Sequence, residues 1–191
     1  MDERTDRILQ VAMEMAERDG YDAVRLRDVA SQAEVALGTV YRRFSCKEDI
    51  LAAVLNLQVS AFEQAVQLNP IEADTPQQRL TILFTQATRA LAERPKLAAA
   101  MLRTVSSGVP DLVDRVTRYH GVMSSIILAV YRGAPLGDDG ATDEERFVAA
   151  MLQNVWFAAL VGWTGGLHDT ETVVRQVIAC TDLMIRGMES R

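Results

Sequence analysis

Between Val35 and Lys47 the sequence reads VALGTVYRRFSCK: three bases and no acid, in a 191-residue chain whose net charge is −6. Over residues 1–50 acids outnumber bases by eleven to eight, yet Arg25, Arg27, Arg42, Arg43 and Lys47 fall together. A surface that meets phosphate must exclude carboxylates, because each would oppose the charge that arginine and lysine supply. The neighbouring residue types fit the same chemistry. Gly38 and Thr39 are slim enough to let a helix approach base edges, and Tyr41 can donate a hydrogen bond to phosphate. Arg42 or Arg43 can meet a guanine bidentately, while Phe44 packs inward.

No second cluster carries comparable chemistry. His120 and His168 are the only histidines and lack the spacing or company of a metal site, so no catalytic, metal or cofactor site is expected. Gly162, Gly165 and Gly166 follow an apolar helical run rather than a strand, and read as a helix end and turn, not a phosphate loop. Cys46, at a helix start beside Lys47, suits a stabilised thiolate; a redox role stands open beside the plainer one of a turn residue. Two cysteines give no disulfide framework, which fits a reducing cytoplasm.

The elements that must hold these residues follow from hydrophobic spacing. With 49% hydrophobic and 24% charged residues the chain reads as a folded globular protein. Its start, Met-Asp-Glu-Arg, lacks the layout of a signal peptide. The apolar run from Phe147 to Trp163 is interrupted by Gln153 and Asn154, and suits a buried helix better than a membrane span. Apolar residues at spacings of three and four predict helices over about 5–19, 26–33 and 37–44, then from Lys47 to before Pro70 and onward from Pro76. Further helices are expected over about 95–104, 110–131, 142–164 and 169–188, with a loop over 133–140. No stretch alternates with period two. The fold class is therefore all-α, with about nine helices and a boundary near residue 46.

The second and third helices are short and joined by the three-residue step Glu34-Val35-Ala36, the layout of a helix-turn-helix. The run RLRDVASQAEVALGTVYRRFSCKEDIL, Arg25 to Leu51, resembles the DNA-binding signature of the TetR family of bacterial transcriptional regulators. The resemblance implies that residues 1–46 form the DNA-binding domain and 47–191 a ligand-binding and dimerisation domain. By the same resemblance Thr39, Tyr41 and Lys47 match positions that bind phosphate, and Arg27, Leu37, Gly38 and Arg43 match positions that face bases or the groove. Arg42 and Arg43 stand level as candidates for reading sequence. Three positions depart from the family pattern: Glu34 stands where glycine is common, Ala36 where a Ser or Thr cap is common, and Arg25 where Thr is usual.

The C-terminal part offers two expectations. Phe147, Met151, Val155, Val174, Val177, Ile178, Met184 and Ile185 give the last two helices more apolar surface than one intramolecular face needs, as in an intersubunit four-helix bundle. In the family the same two helices form the homodimer, which presents two recognition helices to a palindromic operator. Phe84, Met101, Leu102, Tyr119, Met123, Ile127, Trp156, Phe157 and Trp163 are large, adaptable groups that either pack as core or line a ligand cavity. TPQQRL at 75–80, RALAERPKLAAAMLRT at 89–104 and NVWFAALVGW at 154–163 are similar to the actinobacterial repressors of cholesterol catabolism. That likeness implies a steroid or long acyl-CoA effector; another hydrophobic inducer stands beside it. The expected partners are thus double-stranded operator DNA, a hydrophobic small molecule and a second copy of the chain, with no membrane. A helical carrier or enzyme without DNA binding is the competing class, and an activator of the same fold is a third.

Overall fold

The computed structural model describes residues 3–137 and 140–189, so residues 138 and 139 of the expected 133–140 loop lie outside the described residues. Among the described residues there are nine α-helices and no strand: α1 (Glu3–Asp19), α2 (Leu26–Gln32), α3 (Leu37–Tyr41), α4 (Lys47–Leu68), α5 (Pro76–Glu93), α6 (Pro95–Val105), α7 (Val113–Arg132), α8 (Asp143–Thr164) and α9 (Thr170–Glu189). Short 3₁₀ turns at Tyr21–Ala23 and Pro110–Leu112 precede α2 and α7. The second of these delays α7, which the proline was expected to open directly.

The helix ends follow from particular residues. Gly20 closes α1 at φ 85°, its N–H on the Ala16 carbonyl at 2.9 Å. Thr75 and Gln78 exchange backbone-to-side-chain hydrogen bonds of 3.3 and 3.2 Å at the start of α5, with Pro76 as its first residue. Thr142 and Glu145 form a capping box at the start of α8, with bonds of 2.8 and 3.2 Å, and Asp169 accepts from the Thr172 N–H at 2.8 Å at the head of α9.

The helix-turn-helix has less usual chemistry. Beyond α2 the Val35 N–H bonds the Ala30 carbonyl at 3.0 Å and the Glu34 N–H bonds the Ser31 carbonyl at 3.2 Å. Those two bonds make a Schellman motif, whose left-handed position is Glu34 at φ 54°. Glycine is favoured there because a Cβ is penalised. An ion pair from Arg7 on α1 to Glu34, at 2.5 Å, braces the strained residue. Arg25 and Ala36 both precede helices without any side-chain cap. Recognition helix α3 is shorter than the spacing suggested. It ends at Tyr41, where the Arg43 N–H shifts to the Val40 carbonyl at 3.0 Å and the chain turns Phe44 into the core.

Replacing Glu34 with glycine is expected to stabilise the fold by roughly 0.5–1 kcal/mol. Relief of the left-handed strain outweighs an exposed ion pair, for which about 0–1 kcal/mol is typical. Urea denaturation of Glu34→Gly beside Glu34→Ala checks this, since alanine loses the ion pair and keeps the strain. Equal destabilisation by both would refute it.

The chain packs as two compact units: one comprises residues 1–58 and 94–119, the other residues 59–93 and 120–191. In the first unit α1 packs on α6 and α2, and α2 on α3, around Ile8, Leu9, Val29, Val40, Phe44, Ile50 and Leu51. In the second, α9 packs on α5 and α8 around Leu80, Phe84, Leu152, Trp156 and Val177. By length and composition α8 is apolar enough to cross a membrane, but one of its stripes is buried as a core helix's would be. These packing units cut the chain differently from the functional boundary at residue 46, which stays a proposal.

Candidate functional site

The acid-free segment forms an exposed face of the first unit. Gly38, Tyr41, Arg42 and Arg43 are exposed, as is Arg27 on α2, whereas Leu37, Thr39 and Lys47 are half-buried. Val40 and Phe44 are buried and fix the helix from behind. Gly38 and Arg42 stand one turn apart on the side away from Val40, so this pair marks the outermost ridge of α3. Nothing lies within 4 Å of a Cβ built on Gly38, so glycine there answers no internal crowding.

The bases on this face are already oriented. The Arg42 guanidinium donates to Thr39 Oγ1 at 3.1 Å, lying back along α3, and Arg43 donates to Thr5 Oγ1 at 2.6 Å at the head of α1. Lys47 pairs with Asp22 at 3.5 Å and sits 3.9 Å from the centre of the Tyr21 ring, with the Arg103 guanidinium at a similar distance. Tyr21 donates to Glu48; burial first, then that bond and the carboxylate's charge, push the phenol up to about 12. Behind the face, Asp49 accepts from the Ser45 N–H at 2.9 Å and pairs with Arg115 of α7, whose guanidinium lies 5.5 Å from the Phe44 ring centre. Thr5, Asp22, Tyr21 and Arg115 thus brace the face. Residues so distant along the chain gave no signal that local spacing detects.

In the second unit a hollow of about 430 Å³ opens between the C-terminal halves of α4 and α7. Its apolar lining includes Val66, Ile71, Ile126, Ala129, Val130 and the turn 133–136, and Glu63, Gln67 and Ser125 bring polar side chains. None of the large residues expected to line a cavity contributes to it. Phe84, Met123, Ile127 and Trp156 are buried in this unit, Met101, Leu102 and Tyr119 are buried in the other, and Phe157 and Trp163 are half-buried. Ile127 borders a crevice of about 10 Å³.

Beside the hollow Arg79 donates to the carbonyls of Val130, Ala73 and Tyr131 at 2.9, 2.9 and 2.6 Å, closing the end of α7. Arg132 grips Glu145 bidentately at 2.8 and 2.7 Å. These hydrogen bonds, aided by the Thr142 N–H and the arginine's charge and opposed by burial, lower the carboxyl to about 2.

The expected dimer residues divide. Phe147 is exposed and Met151, Val155, Val174, Ile178 and Met184 are half-buried, while Val177 and Ile185 are buried within the unit. The outward stripe instead continues through Ala158 and Val161 on α8 and Ala179 and Leu183 on α9, which periodicity did not single out. Nearby, His168 Nε2 lies 2.8 Å from the Ala159 carbonyl, and its ring occupies the space a Cβ on Gly162 would take. Both residues serve the end of α8.

Two family models match this arrangement. Residues 8–54 match the model described as bacterial regulatory proteins, tetR family, and residues 73–183, more than half the chain, match the tetracyclin repressor-like C-terminal domain. The chain is 28% identical over 189 residues to the HTH-type transcriptional repressor KstR of Mycobacterium tuberculosis, covering 98% of this chain and 83% of that protein. It superposes on a TetR transcriptional regulator from Rhodococcus sp. RHA1 with a TM-score of 0.84, at 25% identity over 95% of this chain and 94% of that one. A Thermus thermophilus FadR repressor, solved with lauroyl-CoA, shares the fold at a TM-score of 0.73 and 18% identity, over 96% and 94% of the two chains. The helix-turn-helix with its acid-free face, followed by a helical domain that matches the family's own, places this chain in the TetR family of bacterial transcriptional regulators.

Proposed function

We propose that the protein is a homodimeric transcriptional repressor of the cytoplasm, which holds a palindromic operator and releases it on binding a hydrophobic small molecule. The observation that carries this is the exposed, carboxylate-free ridge of α3, flanked by Arg27, Arg42, Arg43 and Lys47, in a chain otherwise rich in acid. On it Thr39, Tyr41 and Lys47 hold phosphate, as does Arg43 at the flank, while Arg27, Leu37, Gly38 and Arg42 meet the groove. The sign of regulation rests on the KstR relatives, which are repressors.

Dimerisation through α8 and α9 is supported by their outward apolar stripe, with Phe147 61% and Leu183 73% exposed. The effector class is supported by the acyl-CoA complexes of two FadR neighbours, and by a hollow within the size range of small-molecule pockets. Release follows from a population shift. A ligand that prefers, by several kcal/mol, the conformation mismatched to successive major grooves empties the operator.

Mobility shift and footprinting on the promoter nearest the gene are expected to give one palindromic site bound by a dimer. Failure to bind any DNA at low salt would remove the proposal. Native mass spectrometry of freshly purified protein reports the oligomer and any retained ligand together.

A further inference from the structure

The turn between α1 and α2 carries a charge cluster that reaches the recognition face. Gly20, at φ 85°, ends α1 and leads the chain into the 3₁₀ turn Tyr21–Ala23. Asp22 on that turn offers its two carboxylate oxygens to two different cations. Oδ1 lies 3.5 Å from the Lys47 ammonium at the start of α4, and Oδ2 lies 3.6 Å from the Arg103 guanidinium in the last turn of α6. Both cations also sit 3.9 Å from the centre of the Tyr21 ring, whose hydroxyl donates to Glu48.

Two like charges are thus held beside one aromatic ring, by its negative face and by the carboxylate. Asp22 is 81% exposed and neither ion pair is a close one, so its hold on each cation is easily exchanged. A phosphate arriving at Lys47 finds Asp22 on the same ammonium, and the two anions compete for it. Arg103 bears on that competition. A carboxylate that also has a guanidinium opposes phosphate less than one that has Lys47 alone. The Tyr21 ring supports Lys47 while its ammonium turns from carboxylate to phosphate.

We infer that Arg103 is a positioning residue for DNA binding: by drawing Asp22 towards itself it leaves the Lys47 ammonium to phosphate, and Asp22 limits that contact. This rests on reading Lys47 as a phosphate contact. It adds two residues that lie off the recognition helix, one acting for binding and one against it.

Phosphate contacts carry no sequence information, so the test needs no operator. Fluorescence anisotropy of a labelled duplex of arbitrary sequence, about 30 base pairs long, titrated with the full-length protein at several salt concentrations, reads the affinity. Asp22→Asn is expected to bind about three- to tenfold more tightly than the unaltered protein, and Arg103→Gln about three- to tenfold more weakly. Arg103→Lys, which keeps the charge, should recover most of the loss. Within an Asp22→Asn background the Arg103→Gln loss should fall, on a logarithmic scale, to less than about half. Removing the Asp22 charge repairs neither a lost direct phosphate contact nor a packing fault, so this result is particular to positioning.

Lys47→Gln tests the underlying reading separately. It should weaken the duplex and lower the slope of log K against log salt by about one, and it should remove about half or more of the gain from Asp22→Asn. Unchanged binding by Lys47→Gln removes the phosphate contact and the inference with it. Where Lys47→Gln does weaken binding, an Arg103→Gln loss that is equal in both backgrounds overturns the inference alone. An Asp22→Asn variant that binds no more tightly does the same. Circular dichroism melts confirm that each variant folds.

Discussion

Arg42→Ala is expected to weaken binding to the specific operator by roughly 1–3 kcal/mol, about five- to 150-fold, with little change on unrelated DNA. The argument is geometric. Arg42 and Gly38 occupy the ridge of α3 opposite Val40, so Arg42 is the base-reading candidate carried deepest into a major groove. Its only described bond, 3.1 Å to Thr39 on the same helix, is exposed and easily exchanged for a guanine edge. Arg43 lies to the flank and is tethered to Thr5, which suits a phosphate contact at the head of α1. Arg43→Ala should therefore weaken all duplexes alike and reduce the slope of log K against log salt by about one.

Gly38→Ala supplies a control of opposite sign. A methyl meets nothing in the free protein and improves helix propensity by about 0.5–1 kcal/mol, so the variant should melt higher while binding the operator less well. Mobility shifts at several salt concentrations, on operator and scrambled duplexes, separate these outcomes. A uniform loss for Arg42→Ala would exchange the roles of the two arginines.

The recognition face was legible in the sequence because its chemistry is local. Acid exclusion, the Gly-Thr step and the inward Phe44 all lie within thirteen residues, and a helix-turn-helix fixes their geometry over that distance. The left-handed turn was half legible: Glu34 stood out as a departure from glycine, and the backbone shows why, at φ 54°. Three-and-four spacing located all nine helices but misjudged α3, whose end is set by the need to bury Phe44.

Which apolar stripe faces inward was not legible. Helix α9 carries Val173, Val177 and Ile185 on one side and Ala179 and Leu183 on another. Only the positions of α5 and α8 decide between them. The hollow escaped for a different reason. Large residues were expected either to pack as core or to line a cavity; this hollow is bordered by small ones, Ser125, Ala129, Gly133 and Ala134, which leave space where large side chains would fill it.

That contrast yields the largest expected effect on stability. Phe84 is 1% exposed, its ring centroid 5.6 Å from that of Trp156 at an interplanar angle of 58°, and the indole N–H donates to Thr88 Oγ1 at 3.0 Å. Three buried side chains from α5 and α8 are thereby fixed in one arrangement. Phe84→Ala removes the ring and leaves a cavity among rigid neighbours, so it should cost about 3–5 kcal/mol and lower the melting temperature by roughly 10 °C. Of this, about 0.5–1.5 kcal/mol belongs to the aromatic pair, which a double-mutant cycle with Trp156→Leu isolates. A side chain lining an open ligand chamber behaves differently. Its truncation removes few contacts, costs about 1 kcal/mol or less, and alters ligand affinity instead. Chemical denaturation followed by tryptophan fluorescence distinguishes the two. A large loss of stability makes Phe84 and Trp156 the packed centre of the helical domain; a small loss makes them a chamber wall.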